Sequence, residues 1–86
     1  MWYQSGTEEI TLHDQPAYKT RAVWEPRTIP KPIFVRTSVK KDSIVSAMAI
    51  VSNINLTGCD INVVPFDGEP LDGAYTLQWL AHEAGD

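Results

Sequence analysis

The chain has 86 residues and a mass of 9.6 kDa, which is enough for one small hydrophobic core and too little for two. Hydrophobic residues make up 43% of it and charged residues 21%, a balance that argues against wholesale disorder. The net charge of −4 argues against direct binding to duplex nucleic acid, because duplex binders present a basic surface to the phosphates. We expect one domain over residues 1–86.

The sequence contains no signal for a membrane or for secretion. Its longest apolar run, residues 47–51, is far shorter than the ~20 residues of a membrane-spanning helix. The first residues contain neither the basic start nor the apolar stretch of a signal peptide. We therefore expect a cytoplasmic or virion-associated protein without a membrane partner.

The first half of the chain predicts three strands and one extended connector. Residues 1–7 lack a periodic pattern and are interpreted as a flexible N-terminal tag. Polar and apolar residues alternate over 9–13 and again over 18–24, as in strands with one buried face. Three prolines within 25–32 remove backbone donors, so this segment is predicted to be an extended connector. Residues 33–39 are rich in β-branched side chains and predict the third strand.

Residues 43–56 are compatible with either a helix or a strand. Apolar residues recur there at helical spacing, and Gly58 is placed where it would end a helix. However, ten of the fourteen positions hold β-branched, serine or asparagine residues, which are poor helix formers. We favour a hairpin turn at 40–43 followed by a strand over 44–51, and a helix remains the alternative.

The last part of the chain predicts two more strands. Residues 60–66 and 74–81 alternate in polarity, and 67–73 form a loop with two Asp-Gly turn dipeptides. A helix over 72–84 is the weaker alternative. Turn signals recur at roughly ten-residue spacing, which is typical of all-β folds. The predicted fold is a small all-β sandwich or barrel of about six strands, and an α+β fold with helices near 43–56 and 72–84 is the alternative.

Three turn motifs follow one another between residues 39 and 73, namely Lys40-Lys41-Asp42, Leu56-Thr57-Gly58 and Asp67-Gly68. This part of the chain resembles the immunoglobulin-like modules of bacteriophage tail and baseplate proteins. In those modules a Lys-x-Asp turn opens a strand, a Leu-Thr-Gly turn follows, and an alternating strand leads into an Asp-Gly loop. The resemblance covers about 40% of the chain. It implies a virion or appendage component with a scaffolding role and without catalytic residues.

Few residues have the chemistry of a catalytic or metal site. His13 and His82 are 69 positions apart, and they would form a two-histidine, one-carboxylate site only if the first and last strands paired. Cys59 stands beside Asp60, which disfavours its thiolate, and a single cysteine forms no intrachain disulfide. The acidic loop fails the EF-hand pattern because Gln78 occupies the position that needs glutamate. The sequence predicts no catalytic residue, no metal and no cofactor.

Charged and aromatic residues indicate surfaces for a protein partner. All seven basic residues lie before position 42, so residues 1–41 have a net charge of +3 and residues 42–86 one of −7. If basic and acidic clusters lie at different ends of the domain, copies would associate head to tail. Aromatic and arginine residues are enriched where partners dock. The predicted partner contacts are Trp2, Tyr3, Trp24, Arg27, Lys31, Arg36, Lys40, Lys41, Asp67, Glu69 and Asp72.

These features predict a non-enzymatic structural or interaction module. The first hypothesis is a small phage-type virion or tail component that docks on other copies of itself or on a partner protein. The second is a small acidic inhibitor of a host enzyme or of nucleic-acid-binding machinery, based on the −7 segment. The third is a carbohydrate-binding module with tryptophan and tyrosine platforms, which would require tandem exposed aromatic side chains.

Overall fold

A computed structural model describes residues 2–25 and 33–83. Within these ranges the chain forms six antiparallel strands and no helix, so the all-β prediction is confirmed. The segments that could have been helical, near 43–56 and 72–84, contain the fourth and sixth strands. The strands are β1 (Tyr3–Gln15), β2 (Tyr18–Val23), β3 (Ile33–Lys41), β4 (Ile44–Asn55), β5 (Gly58–Pro65) and β6 (Leu71–Glu83).

The strands form one sheet in the order β1-β6-β3-β4-β5-β2, which curls into a nearly closed, barrel-like structure. Its two edge strands, β1 and β2, approach each other across a seam. In the described residues this seam contains side-chain hydrogen bonds rather than backbone pairing, because Glu8 accepts hydrogen bonds from Tyr18 and Thr20. The result is a single small domain with one interior.

The core is built from alternate residues of every strand, as a pleated sheet with one buried face requires. Fully buried side chains come from β3, β5 and β6 in particular, where Val39, Ile61 and Leu77 are each 1% exposed. Within residues 2–25 and 33–83 the buried hydrophobic residues are Ile10, Leu12, Ala22, Trp24, Val39, Ala47, Cys59, Ile61, Val63, Leu71, Tyr75, Leu77 and Ala81. These residues form one cluster, so both halves of the sheet share the same core.

The N-terminal residues are a strand and not the tag that the sequence predicted. Residues 3–7 belong to β1 and pair with β6, with Tyr3 opposite His82 and Thr7 opposite Gln78. The alternating pattern is hidden because the positions that turn inward here are Gln4, Gly6 and Glu8, which are half-buried but not apolar. The predicted proline-rich connector at 25–32 lies, except for its first residue, outside the described residues.

A tight turn and a bulge connect β3 to β4. Asp42 and Ser43 both have positive φ, 54° and 65°, as a two-residue type I′ hairpin turn requires. After the turn, Lys41 pairs with Ile44 and Lys40 with Val45, but a bulge follows before Val39 pairs with Ala47. Beyond that point β3 pairs only with β6, and β4 pairs only with β5.

No helix in residues 2–25 and 33–83 has the length and apolar content to cross a membrane.

Candidate interaction surfaces

The two histidines lie far apart although their strands pair. The antiparallel register of β1 and β6 places His82 opposite Tyr3, whereas His13 follows Leu12, which is opposite Gly73. Ten residues of strand separate the two positions, or about 30 Å. The first and last strands do pair, as a two-histidine site would require. Their register nevertheless places the two histidines too far apart to bind one metal ion. Residues 2–25 and 33–83 contain no cluster of three or more metal-ligating side chains.

Cys59 lies in the core at 0% exposure. Burial raises the pKa of its thiol; the Arg21 guanidinium partly offsets this rise, and the nearby Asp60 carboxylate adds to it. The thiol is therefore in its neutral form at neutral pH, as expected of a small buried residue rather than of a nucleophile.

Trp24 is a core residue and not a surface contact. It is 3% exposed, and its ring centroid lies 6.0 Å from that of Trp2 and 5.8 Å from that of Trp79. The three tryptophans form one cluster, in which Trp2 and Trp79 are half-buried. Trp24 therefore offers no surface to another chain, and the tryptophans do not form the open platform of a carbohydrate-binding module.

Of the other predicted partner contacts in the first half, Tyr3 and Arg36 are exposed and Lys40 is half-buried. Arg27 and Lys31 lie outside the described residues. Tyr3 belongs to a row on the outer face of the sheet, in which Tyr3 and Phe34 both lie opposite His82. The Phe34 and His82 ring centroids are 5.8 Å apart.

The basic and acidic clusters lie at the same end of the molecule. The basic cluster is Lys40 and Lys41, and the acidic cluster is Asp67, Glu69 and Asp72. The Lys41 ammonium donates a hydrogen bond of 2.7 Å to the backbone carbonyl of Asp72. Because Ala47 pairs with Pro65, the loop after β5, which contains the exposed Asp67 and Glu69, extends toward the turn between β3 and β4. The condition for head-to-tail association through opposite charged ends is therefore not met.

A trough of about 580 Å³ crosses the outer face of β2, β5 and β4. At its centre Arg21 forms an ion pair with Asp60 at 2.9 Å, and the Asn53 amide donates a hydrogen bond of 2.7 Å to the other carboxylate oxygen. The Asn53 hydrogen bond and then the Arg21 guanidinium hold the pKa of Asp60 below its ordinary value. Arg21, Asn53 and Asp60 are thus bonded to one another, and none of these three side chains is free to react.

The outer face of β4, the neighbouring part of β5 and the loop after β5 carry apolar side chains that we call the apolar patch. It consists of Val45, Met48, Ile50, Val64 and Phe66, of which Val64 is half-buried and the others are exposed. Met48 lies opposite Val64, and Ile50 lies one pair further along the ladder. Val45, Met48, Ile50 and Phe66 are between 47% and 59% exposed. Three large exposed side chains on β4 and a fourth directly after β5 are unusual for a surface that faces only water.

The sequence contains a signal for the apolar patch that the periodicity analysis did not use. In β4 the inward positions hold the small residues Ala47 and Ala49, whereas the outward positions between and after them hold Met48 and Ile50. A strand that is apolar on both faces, with its larger side chains outside, is typical of a strand covered on both sides.

A cleft of about 270 Å³ lies beside the apolar patch, where β3 and β4 separate. Thr37 and Ser38 line its β3 side, and Met48 and Ala49 line its β4 side. Phe66, directly after β5, also lines it.

Comparison with known proteins supports the fold. The chain is similar to a segment of the Pseudomonas phage phi297 tailspike gp61, with a TM-score of 0.62 and 18% sequence identity. The match covers 92% of this chain and 15% of the tailspike chain, so this chain spans a small part of the tailspike's length. No protein-family model matches the chain, and no curated protein is similar in sequence. The fold is thus one that also occurs within a phage tailspike.

Proposed function

We propose that this chain is a non-enzymatic structural module of a phage tail-type protein or particle, and that it docks on another protein chain through the apolar patch. The partner is a further copy of the chain or a different component of the same assembly. The observation that carries the proposal is the exposure of Met48 and Ile50 on the outer face of β4 and of Phe66 directly after β5. Burying such side chains against a partner removes apolar area from water, at about 25 cal/mol per Å².

Fold and turn chemistry support the phage part of the proposal. The similar segment of the tailspike is part of a longer chain, as expected for a module. The three motifs of the immunoglobulin-like resemblance correspond to successive connections, with Asp42 between β3 and β4, Thr57 between β4 and β5, and Gly68 between β5 and β6. We propose membership of that group of modules on this basis.

The test is sedimentation velocity of the purified protein and of the double variant Ile50→Ser/Phe66→Ser. We expect the wild type to self-associate and the variant to weaken this association about tenfold or more, because both exposed side chains would be anchors of the contact. Association should change little with salt, since the contact is apolar. Val23→Ser is the matched control, because Val23 is 66% exposed on β2, away from the apolar patch.

A wild-type protein that stays monomeric up to its highest soluble concentration would contradict docking on other copies. Equal loss of association in Val23→Ser would show that general surface hydrophobicity, and not the apolar patch, drives it.

A further inference from the structure

The connection between β1 and β2 is short and lacks the backbone conformation of a hairpin turn. β1 ends at Gln15 and β2 begins at Tyr18, so only Pro16 and Ala17 lie between them. A two-residue hairpin turn needs positive φ at one or both of its central residues, and neither Pro16 nor Ala17 has it. Proline suits extended backbone at its own position and favours it at the residue before. The connection therefore does not by itself direct β2 back along β1.

A few contacts across the seam hold β1 against β2. The Glu8 carboxylate accepts hydrogen bonds from Tyr18 and Thr20. The Glu25 amide donates a further one, of 3.4 Å, to the side-chain oxygen of Gln4. The backbone pairing of β1, by contrast, is with β6 alone among the described strands, and it extends over nearly the whole length of β1. β1 is thus attached to the sheet through β6 and not through the strand that follows it in the chain.

We infer that β1 is exchanged between two copies of this chain, so that β1 of each copy pairs with β6 of the other. The occupant of the β6 edge follows from the structure, because β1 itself fills that edge from Tyr3 to Gln15. A second copy brings an identical strand, and the exchange preserves the contacts of β1 with β6 and across the seam. Only Pro16 and Ala17 change, from a reversal of the chain to an extended link.

Reciprocal exchange of β1 joins two copies into a closed two-fold dimer, because each copy gives and receives the same strand. The closed monomer and the exchanged dimer contain the same strand contacts, so the protein concentration during folding decides between them. The apolar patch takes no part in this contact. The inference therefore goes beyond the proposed docking surface.

The test detects a disulfide between positions that face each other across the β1–β6 ladder. Thr7 and Gln78 lie opposite each other, and both are exposed. The Cα atoms of such a pair are about 5 Å apart, within the range that a disulfide spans. The variants Thr7→Cys and Gln78→Cys are mixed in denaturant, refolded together at high concentration under reducing conditions, and then oxidised. Neither chain holds both introduced cysteines, so this disulfide forms in register only when β1 of one variant pairs with β6 of the other.

The matched control is Thr11→Cys mixed with Gln78→Cys. Thr11 is also exposed, but it lies opposite Ala74, which is about 13 Å along the ladder from Gln78. Mass spectrometry of proteolytic fragments should find the 7–78 disulfide at least about fivefold more often than the 11–78 disulfide, because only the first pair is within reach. The 7–78 yield should fall when the same mixture is refolded at low concentration.

A hairpin turn placed in the connection should suppress the exchange. The substitution Pro16→Asn/Ala17→Gly, made in both cysteine variants, supplies the residues of a type I′ turn. β1 should then fold back within its own chain, and the 7–78 yield should fall about fivefold or more. Ile50→Ser/Phe66→Ser, which removes the centre of the apolar patch, should leave the yield unchanged.

Equal yields of the 7–78 and 11–78 disulfides would overturn the inference, as would the absence of the 7–78 disulfide at the highest soluble concentration. An unchanged yield in Pro16→Asn/Ala17→Gly would also overturn it, because the connection would then not control the exchange. Loss of the 7–78 disulfide in Ile50→Ser/Phe66→Ser would reject exchange as a contact of its own. Failure of the apolar patch to drive self-association leaves these measurements unaffected, so the two proposals fail separately.

Discussion

Glu8 closes the seam between the two edge strands. Its two carboxylate oxygens accept hydrogen bonds from the Tyr18 hydroxyl at 2.9 Å and the Thr20 hydroxyl at 3.0 Å. A half-buried acidic residue would be costly without partners, but here one carboxylate links β1 to two positions of β2. The seam is therefore held by a few side-chain contacts instead of a continuous ladder.

Tyr18→Phe should lower the free energy of unfolding by about 1–2 kcal/mol, because it removes a hydrogen bond to a charged acceptor. Chemical denaturation monitored by circular dichroism measures this change. Tyr3→Phe is the control, since Tyr3 is 65% exposed. Equal effects of the two substitutions would show that the seam bond contributes nothing.

The hydrogen bond between Tyr18 and Glu8 also makes the stability of the fold depend on pH. The hydrogen bond to Glu8, followed by burial, raises the pKa of Tyr18 above its ordinary value of 10.0. A raised pKa means that the folded state favours the protonated phenol, so this stabilisation is complete below pH 10 and is lost as the pH rises through the folded-state value. In Glu8→Gln the pKa of Tyr18 should fall toward 10.0, which ultraviolet titration of the phenolate detects.

At the scale of elements, Gly58 begins β5 and lies so close to the neighbouring strand β2 that no side chain fits there. A Cβ at this position would collide with the carbonyl oxygen of Ala22. The Trp24 amide also donates a hydrogen bond of 3.0 Å to the carbonyl of Thr57, so the end of β2 is bonded to the turn that precedes β5. The glycine of the Leu-Thr-Gly motif is therefore required by close backbone approach as well as by the turn.

Gly58→Ala should destabilise the protein by about 3 kcal/mol or more, since a backbone oxygen within a ladder moves only if strand pairing is disturbed. Gly68→Ala is the matched control, because nothing lies within 4 Å of a Cβ there and only its φ of +80° opposes the change. That variant should lose about 1 kcal/mol, as expected for backbone strain alone. Thermal unfolding compares the two, and a loss in Gly58→Ala as small as in Gly68→Ala would contradict the clash.

The strands that could be predicted are those in which inward positions are apolar. Alternation over 18–24 and 60–66 corresponds closely to β2 and β5, where inward residues such as Ala22 and Ile61 are buried. The start of β1 was missed because two of its inward residues, Gln4 and Glu8, accept hydrogen bonds across the seam, and the third, Gly6, has no side chain. The cleft could not be predicted, since it depends on which strand lies beside β3 after the bulge, and turn chemistry alone does not fix that.

At the scale of the whole molecule, the first and last strands of the described chain are neighbours. Pairing of β1 with β6 runs from Tyr3 opposite His82 to Gln15 opposite Leu71, so the sheet is completed only when distant parts of the chain meet. Contacts of this kind slow folding, because the entropy of closing a long loop must be overcome before the contacts form.

Deletion of residues 1–7 should therefore prevent stable folding, although the sequence pattern alone would class them as dispensable. The deletion removes the partners of residues 78–82 of β6 and exposes that edge. Circular dichroism should show loss of cooperative unfolding, and light scattering should show aggregation. The substitution Tyr3→Ser/Thr7→Ser changes only outward side chains and should fold normally. Retention of a cooperative transition by the truncated chain would restore the interpretation of these residues as a tag.

The tryptophan cluster gives the molecule a built-in optical reporter. Trp2 directly precedes β1, Trp24 directly follows β2 and Trp79 lies within β6, yet the centroids of neighbouring rings in the cluster are 6.0 Å or less apart. Indoles at such distances couple electronically, so their absorption of circularly polarised light and their emission depend on mutual orientation. Departure of the first strand would separate Trp2 from Trp24 and alter both signals. Opening and closing of the sheet can thus be followed in real time in the unlabelled protein.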